Sequence, residues 1–240
     1  MDRLIYLSMA GAKAAMQRQE VVSHNLANVS TPGFRAELTA FRAVPVQGDG
    51  ASTRVYALES TPGYNSAAGA ITSTGRNLDV ALKGQAWLAV QGKDGTEAYT
   101  RGGALDVDAE GQLVTAGGNP VLGEGGPITV PANAQVLIAA DGNVSATVAG
   151  GRPQGIGKLK MVTPEAPLTR GTDGLFRAAE DLPADPNARL QDGALEGSNV
   201  SAVESMIAMI SAARQFEQQM KMLQSAQEKE QTATKLLATG

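Results

Sequence analysis

The sequence predicts an α+β protein: long N- and C-terminal α-helices packed together as a coiled-coil-like core, extended connectors, and a central β-rich domain. Three observations predict it. Both ends carry apolar residues at helical spacing with no interrupting proline. The middle holds short alternating runs separated by glycine-containing turns at roughly nine- to thirteen-residue spacing. The stretches between these textures are rich in proline and small residues and read as extended chain.

Residues 1–33 are expected to form the N-terminal core helix and its end. From residue 3 to about 28, Leu4, Leu7, Gly11, Ala14, Val21 and Asn25 lie on a 3/4 ladder, flanked by Ile5, Met9, Met16 and Val22. Asp2 favours the helix start through the dipole. Asn25, Asn28 and Thr31-Pro32 mark the end, because the residue before a proline is driven to extended geometry, and Gly33 lets the chain turn. Residues 34–76 follow as an extended connector. The β-domain, 77–180, has strand candidates at 78–82, 86–90, 98–100, 105–107, 112–114, 128–130, 136–138 and 144–148, with turn chemistry at Asp94-Gly95, Asp141-Gly142 and Asp173-Gly174. Residues 181–200 read as a return connector.

Residues 201–240 carry the strongest structural signal. Ser201-Ala202-Val203-Glu204 is a capping box, and no Gly or Pro follows until Gly240. Met206, Met209, Ala213, Phe216, Met220 and Leu223 form a heptad ladder that runs on through polar positions to Leu237. Such a helix spans roughly 55 Å and the first roughly 40 Å. The middle domain cannot cover stripes of that length, so the two ends are expected to pair with each other and with neighbouring copies.

Composition removes most other functions. There are 20 Lys and Arg against 24 Asp and Glu, a net charge of −4, so no basic field attracts nucleic acid or an anionic lipid surface. With no cysteine and a single histidine, His24, zinc–thiolate sites, disulfides and multi-histidine metal centres are excluded, and no cofactor is expected. His24, late in a helix, reads as solvated or capping. Asp106 to Gly111 imitates half a calcium loop but has Gly117 where the bidentate Glu belongs. Gly155-Ile156-Gly157-Lys158 fails the phosphate-loop spacing at Arg152 and Leu159. No apolar run reaches the roughly 18 residues of a membrane span, and the N-terminus lacks the order of a cleavable signal peptide, so export would use another route.

Two motifs bring a family into view. Asn25-Leu26-Ala27-Asn28-Val29-Ser30-Thr31-Pro32-Gly33-Phe34 resembles the N-terminal signature of bacterial flagellar rod and hook proteins, and Leu195-Glu196-Gly197-Ser198-Asn199-Val200 resembles their C-terminal signature. Asp79 to Leu82, Trp87 to Gln91, Tyr99-Thr100-Arg101 and Gly111 to Val114 resemble their middle domain, as Phe34-Arg35-Ala36 and Phe41 to Val46 resemble proximal-rod members. The resemblance implies a non-enzymatic subunit of the basal-body rod, crossing the periplasm and carrying torque, with helices inside and the β-domain outward. It implies as partners copies of the chain, other proximal- and distal-rod subunits and the flagellar type III export apparatus, with no nucleic acid and no direct membrane insertion. The expected assembly interface is Leu4, Leu7, Val21, Val22 and Leu26 with Met206, Met209, Ala213, Phe216, Met220, Leu223 and Leu237. Asn25, Asn28, Thr31, Pro32, Gly33, Phe34, Ser198 and Asn199 are the helix-end and signature residues. The alternatives are a distal-rod sibling, a carbohydrate hydrolase using carboxylates such as Asp79 and Asp106, and a secreted binding module, which nine scattered aromatic residues argue against.

Overall fold

Apolar periodicity at both ends becomes two helices, α1 (Asp2–Ala27) and α2 (Ala202–Ala238), in a computed structural model that describes residues 2–45 and 55–238. The described chain falls into two units. The first comprises the described residues within 1–29, 36–65 and 200–240, the second residues 30–35 and 66–199.

In the first unit α1 and α2 lie against each other. Small side chains make that close approach possible: Ala12, Ala15, Ala212 and Ala226 are buried, and Gly11 sits beneath the Gln219 amide, where a Cβ would come within 2.8 Å of Cδ. The contact row on α2 therefore runs through buried Ala212 and Ala226 and half-buried Met209, Phe216, Gln219 and Leu223. It is rotated from the expected ladder, leaving Met206 and Met220 exposed, because alanines admit a neighbouring backbone where methionines would hold it off. At the start of α2 the Ser201 hydroxyl accepts from Glu204 N at 3.4 Å, the capping bond expected there.

Residues 34–76, expected as an extended connector, contain two paired antiparallel strands, Glu37–Pro45 and Val55–Tyr64, with a bulge between Leu38 and Ala40. The strands pack on α1. A two-stranded ribbon is marginal alone, and this support is what a linear reading of proline-containing sequence cannot see.

The second unit is strand-rich. Its largest sheet is antiparallel in the order Met161–Val162, Trp87–Gln91, Glu97–Thr100, Phe176–Arg177, Thr169–Arg170. A second sheet orders Ala134–Ile138, Asn143–Val148 and Gln154–Lys158. One apolar core, including Val80, Leu88, Val90, Leu105, Leu113, Ile138, Leu159 and Leu190, joins them.

Two expectations change. Ile128-Thr129-Val130 is not a strand: only Thr129 bridges, to Gln112, since Pro127 and Pro131 bracket the segment and supply no amide hydrogens. Ile128 and Val130 are nonetheless buried. The stretch 181–199 carries two three-residue strands, Leu190–Asp192 and Ala194–Glu196, which pair with Val80–Leu82 and Ile71–Ser73. Three residues are too few for a period to register.

Tyr99 lies in this core with its hydroxyl donating to Glu97 Oε1 and accepting from Leu182 N, both at 2.9 Å. Burial, with lesser help from Glu97, pushes the phenol up to about 12. The native state then holds a proton that the unfolded chain releases near the usual tyrosine value of about 10, so stability falls as pH rises from about 10 to about 12. Urea midpoints measured across that window are expected to slope downward, with a shallower slope in Tyr99→Phe.

Candidate assembly surfaces and a buried charge cluster

Three charged side chains meet inside the second unit where an apolar core would ordinarily tolerate none. Glu196 is 1% exposed, Arg101 2% and Arg35 3%. Arg35 Nη1 lies 2.6 Å from Glu196 Oε1, and Arg101 donates to Oε2 through Nε at 2.9 Å and through Nη2. Further bonds run to backbone carbonyls: Arg101 donates to Leu82, Gly84 and Ala86, and Arg35 to Ala67. Burial pulls the Arg101 guanidinium below its ordinary range while Glu196 pulls it back up. Two cations share one carboxylate, and Arg35 Nε has no partner among the described residues.

Glu196 also organises backbone. Its carboxylate accepts from Gly69 N at 2.9 Å and its carbonyl from Gly33 N at 2.7 Å. Segments 33–35, 67–70, 101 and 196–199 are thereby laced together, with Gly197 N donating to Ala70 O and Asn199 N to Phe34 O.

The signature residues divide by unit. In the first, Asn25 imitates a strand partner, accepting from Glu37 N at 2.8 Å and donating to Glu37 O at 2.9 Å. Asn28 donates to His24 O and so caps the last turn of α1, and His24 Nδ1 stands 2.9 Å from Glu37 Oε2. In the second, Thr31 O accepts from Phe34 N across Pro32 and Gly33, and Gly33 has a φ of 71°, the arrangement of a type II turn. Phe34 is buried under the Arg170 guanidinium, 4.5 Å from its ring centre, and Arg170 also lies over Phe176, which packs on Trp87. Asn199 donates to Ala67 O, and Ser198 is half-buried.

Of the expected interface residues, Leu7, Val21, Val22, Leu26, Met209, Ala213, Phe216 and Leu223 are half-buried in the first unit, and Met206 and Met220 are exposed. The side chains of Leu4 and Leu237 lie outside the described residues. Val203, Ile207 and Ile210 extend the exposed row of Met206.

Among the described residues the candidate chemical groups are not brought together. Asp79 is occupied by Thr74 and Arg76, while Asp106 is exposed on a hairpin. Asp108 closes that hairpin by accepting from Gln112 N, and Lys158 of the failed phosphate loop lies in a strand, paired with Glu124. Among the described residues no cluster of three metal-ligating groups occurs, and no helix is long and apolar enough to cross a membrane.

Sequence reasoning gave no site role to Arg35, Arg101, Arg170 or Glu196. A signal was present: Phe34-Arg35-Ala36, Tyr99-Thr100-Arg101 and Leu195-Glu196-Gly197 each set one charge among apolar or small neighbours.

Comparison with known proteins matches residues 5–35 to the family described as flagella basal body rod protein, residues 81–146 to the flagellar hook protein FlgE/F/G D1 domain, and residues 191–236 to the flagellar basal body rod FlgEFG protein C-terminal family. The flagellar basal-body rod protein FlgF of Salmonella typhimurium is 48% identical over 250 residues, covering 99% of each chain. That of Escherichia coli is 46% identical with the same coverage. FlgG of Bacillus subtilis is 32% identical over 95% of this chain and 96% of its own. These relatives are structural proteins and not enzymes. The chain therefore belongs to the family of flagellar basal-body rod proteins, as an FlgF-like structural subunit of the rod.

Proposed function

We propose that the chain is a proximal-rod subunit that joins copies of itself and other rod subunits through α1 and α2, carrying torque across the periplasm after delivery by the flagellar type III export apparatus. In this reading the helix pair acts as a coiled-coil-like core and the strand-rich unit as a central β-domain. The assembly surface is drawn from Leu4, Leu7, Val21, Val22 and Leu26 on α1 and from the Met206-to-Leu237 ladder on α2.

One observation carries the proposal. Val203, Met206, Ile207 and Ile210 are 68%, 53%, 63% and 55% exposed at i, i+3, i+4 and i+7 of α2. A contiguous apolar row of this kind is a contact surface waiting for a partner. Each such side chain contributes about 1.5–3 kcal/mol when fully covered, well above roughly a few tenths from an exposed i, i+4 ion pair on a helix.

Ile207→Asp tests it. A charge at an exposed helix position leaves the single chain's unfolding midpoint within about 0.5 kcal/mol of the parent. In a strain lacking its own copy, the variant is expected to be made and exported yet to give no rods and no swimming. Asp106→Ala with Asp108→Ala, on the hairpin, is expected to swim. Normal motility of Ile207→Asp would overturn the reading.

A further inference from the structure

Eight methionines hold all the sulfur in this chain, which has no cysteine. Their surroundings differ sharply. Met161, in the strand-rich unit, is 2% exposed, whereas Met9, Met16 and Met206 are 55%, 53% and 53% exposed. Met9 and Met16 stand one heptad apart on α1, on the face that also shows Tyr6, and Met206 sits in the row of Val203, Ile207 and Ile210 on α2. The exposed thioethers thus lie on the two helices, Met220 and Met222 of α2 included at 37% and 45%, with no thiolate to react first.

We propose that Met9, Met16 and Met206 are sulfoxidation sites through which hydrogen peroxide bars an unassembled subunit from the rod; the consequence rests on the association reading above. The thioether sulfur attacks one peroxide oxygen, an S–O bond forms and the O–O bond breaks. Sulfur loses two electrons, the peroxide is reduced, and the departing hydroxide takes the proton of the transferred hydroxyl and leaves as water. The product is a polar sulfoxide, which a sulfoxide reductase can return to the thioether. Placed against an apolar partner it buries an oxygen without a donor, which is unfavourable. Once neighbours cover the faces, the same sulfurs are out of reach, so the chemistry acts on free subunits and spares built rods.

The test has two arms. Purified full-length chain is exposed to dilute hydrogen peroxide and its peptides are followed by mass spectrometry. Met9, Met16 and Met206 are expected to gain an oxygen at least about tenfold faster than Met161, as exposure dictates; equal rates would overturn the assignment. In cells lacking the native copy, M9L/M16L/M206L is expected to build flagella at the parental level and M9Q/M16Q/M206Q, which carries polarity of similar length, at least about tenfold fewer. A Gln triple that matches the Leu triple overturns the proposal, and so does a Leu triple that fails equally, because shape and not polarity would then decide. Failure of the association reading is scored separately, by a swimming Ile207→Asp strain.

Discussion

Glu196→Ala is expected to cost the strand-rich unit about 3–5 kcal/mol, the range for removing one member of a buried ion pair. Two guanidiniums at 2% and 3% exposure would keep their charges and lose their only shared carboxylate. Neither can discharge, because arginine stays protonated in proteins. Gly69 N, half-buried, would lose its acceptor as well. Glu196→Gln keeps an oxygen for some of these donors and is expected to lose less. Trp87 is the single tryptophan, buried beside Phe176 in the same unit, so its fluorescence in a urea titration reports this unit directly. A Glu196→Ala midpoint indistinguishable from the parent's would show that the cluster contributes nothing to stability.

Gly33→Ala is expected to cost about 2–5 kcal/mol, from backbone strain and from collision together. Gly33 has a φ of 71°, and a Cβ there would lie 2.2 Å from the carbonyl carbon of Arg101 and 2.4 Å from Gly102 N. Those atoms are backbone and cannot swing aside. Gly75 supplies the control: its φ is 70° but nothing lies within 4 Å of its Cβ position, so Gly75→Ala carries only the conformational penalty of about 1–2 kcal/mol. Trp87 fluorescence reads both variants, and equal losses would mean that the close approach at Gly33 is unimportant. Gly33 packs on the Arg101 carbonyl and the Arg101 side chain pairs with Glu196, so Gly33→Ala and Glu196→Ala perturb one network and their losses should not add.

The two helices were legible because their signals are local. A run free of proline, a period near 3.6 and a Ser201 cap act within a few residues, and α1 and α2 end within a residue or so of where those signals stop. Pro32-Gly33 was legible as a turn for the same reason. Its second task, to let the chain pass against the Arg101–Gly102 peptide, depends on residues some seventy positions away and has no local trace. Asn25 was legible as a helix-end residue, but its two bonds to the Glu37 backbone require a strand that the sequence presented as a connector.

The balance of charge, the missing cysteines and the amphipathic ends are properties of composition and short-range order, and from them follow the α+β class and the narrowing toward a structural role. The family signatures named the rest. Pairing at a distance is of another kind. The three-residue strands at 190–192 and 194–196, the rotated contact row through Ala212 and Ala226, and the meeting of Arg35, Arg101 and Glu196 all join segments that are remote along the chain. Such contacts form only where loop closure and core packing together offset the entropy of bringing remote residues into register, and that is a property of the folded whole.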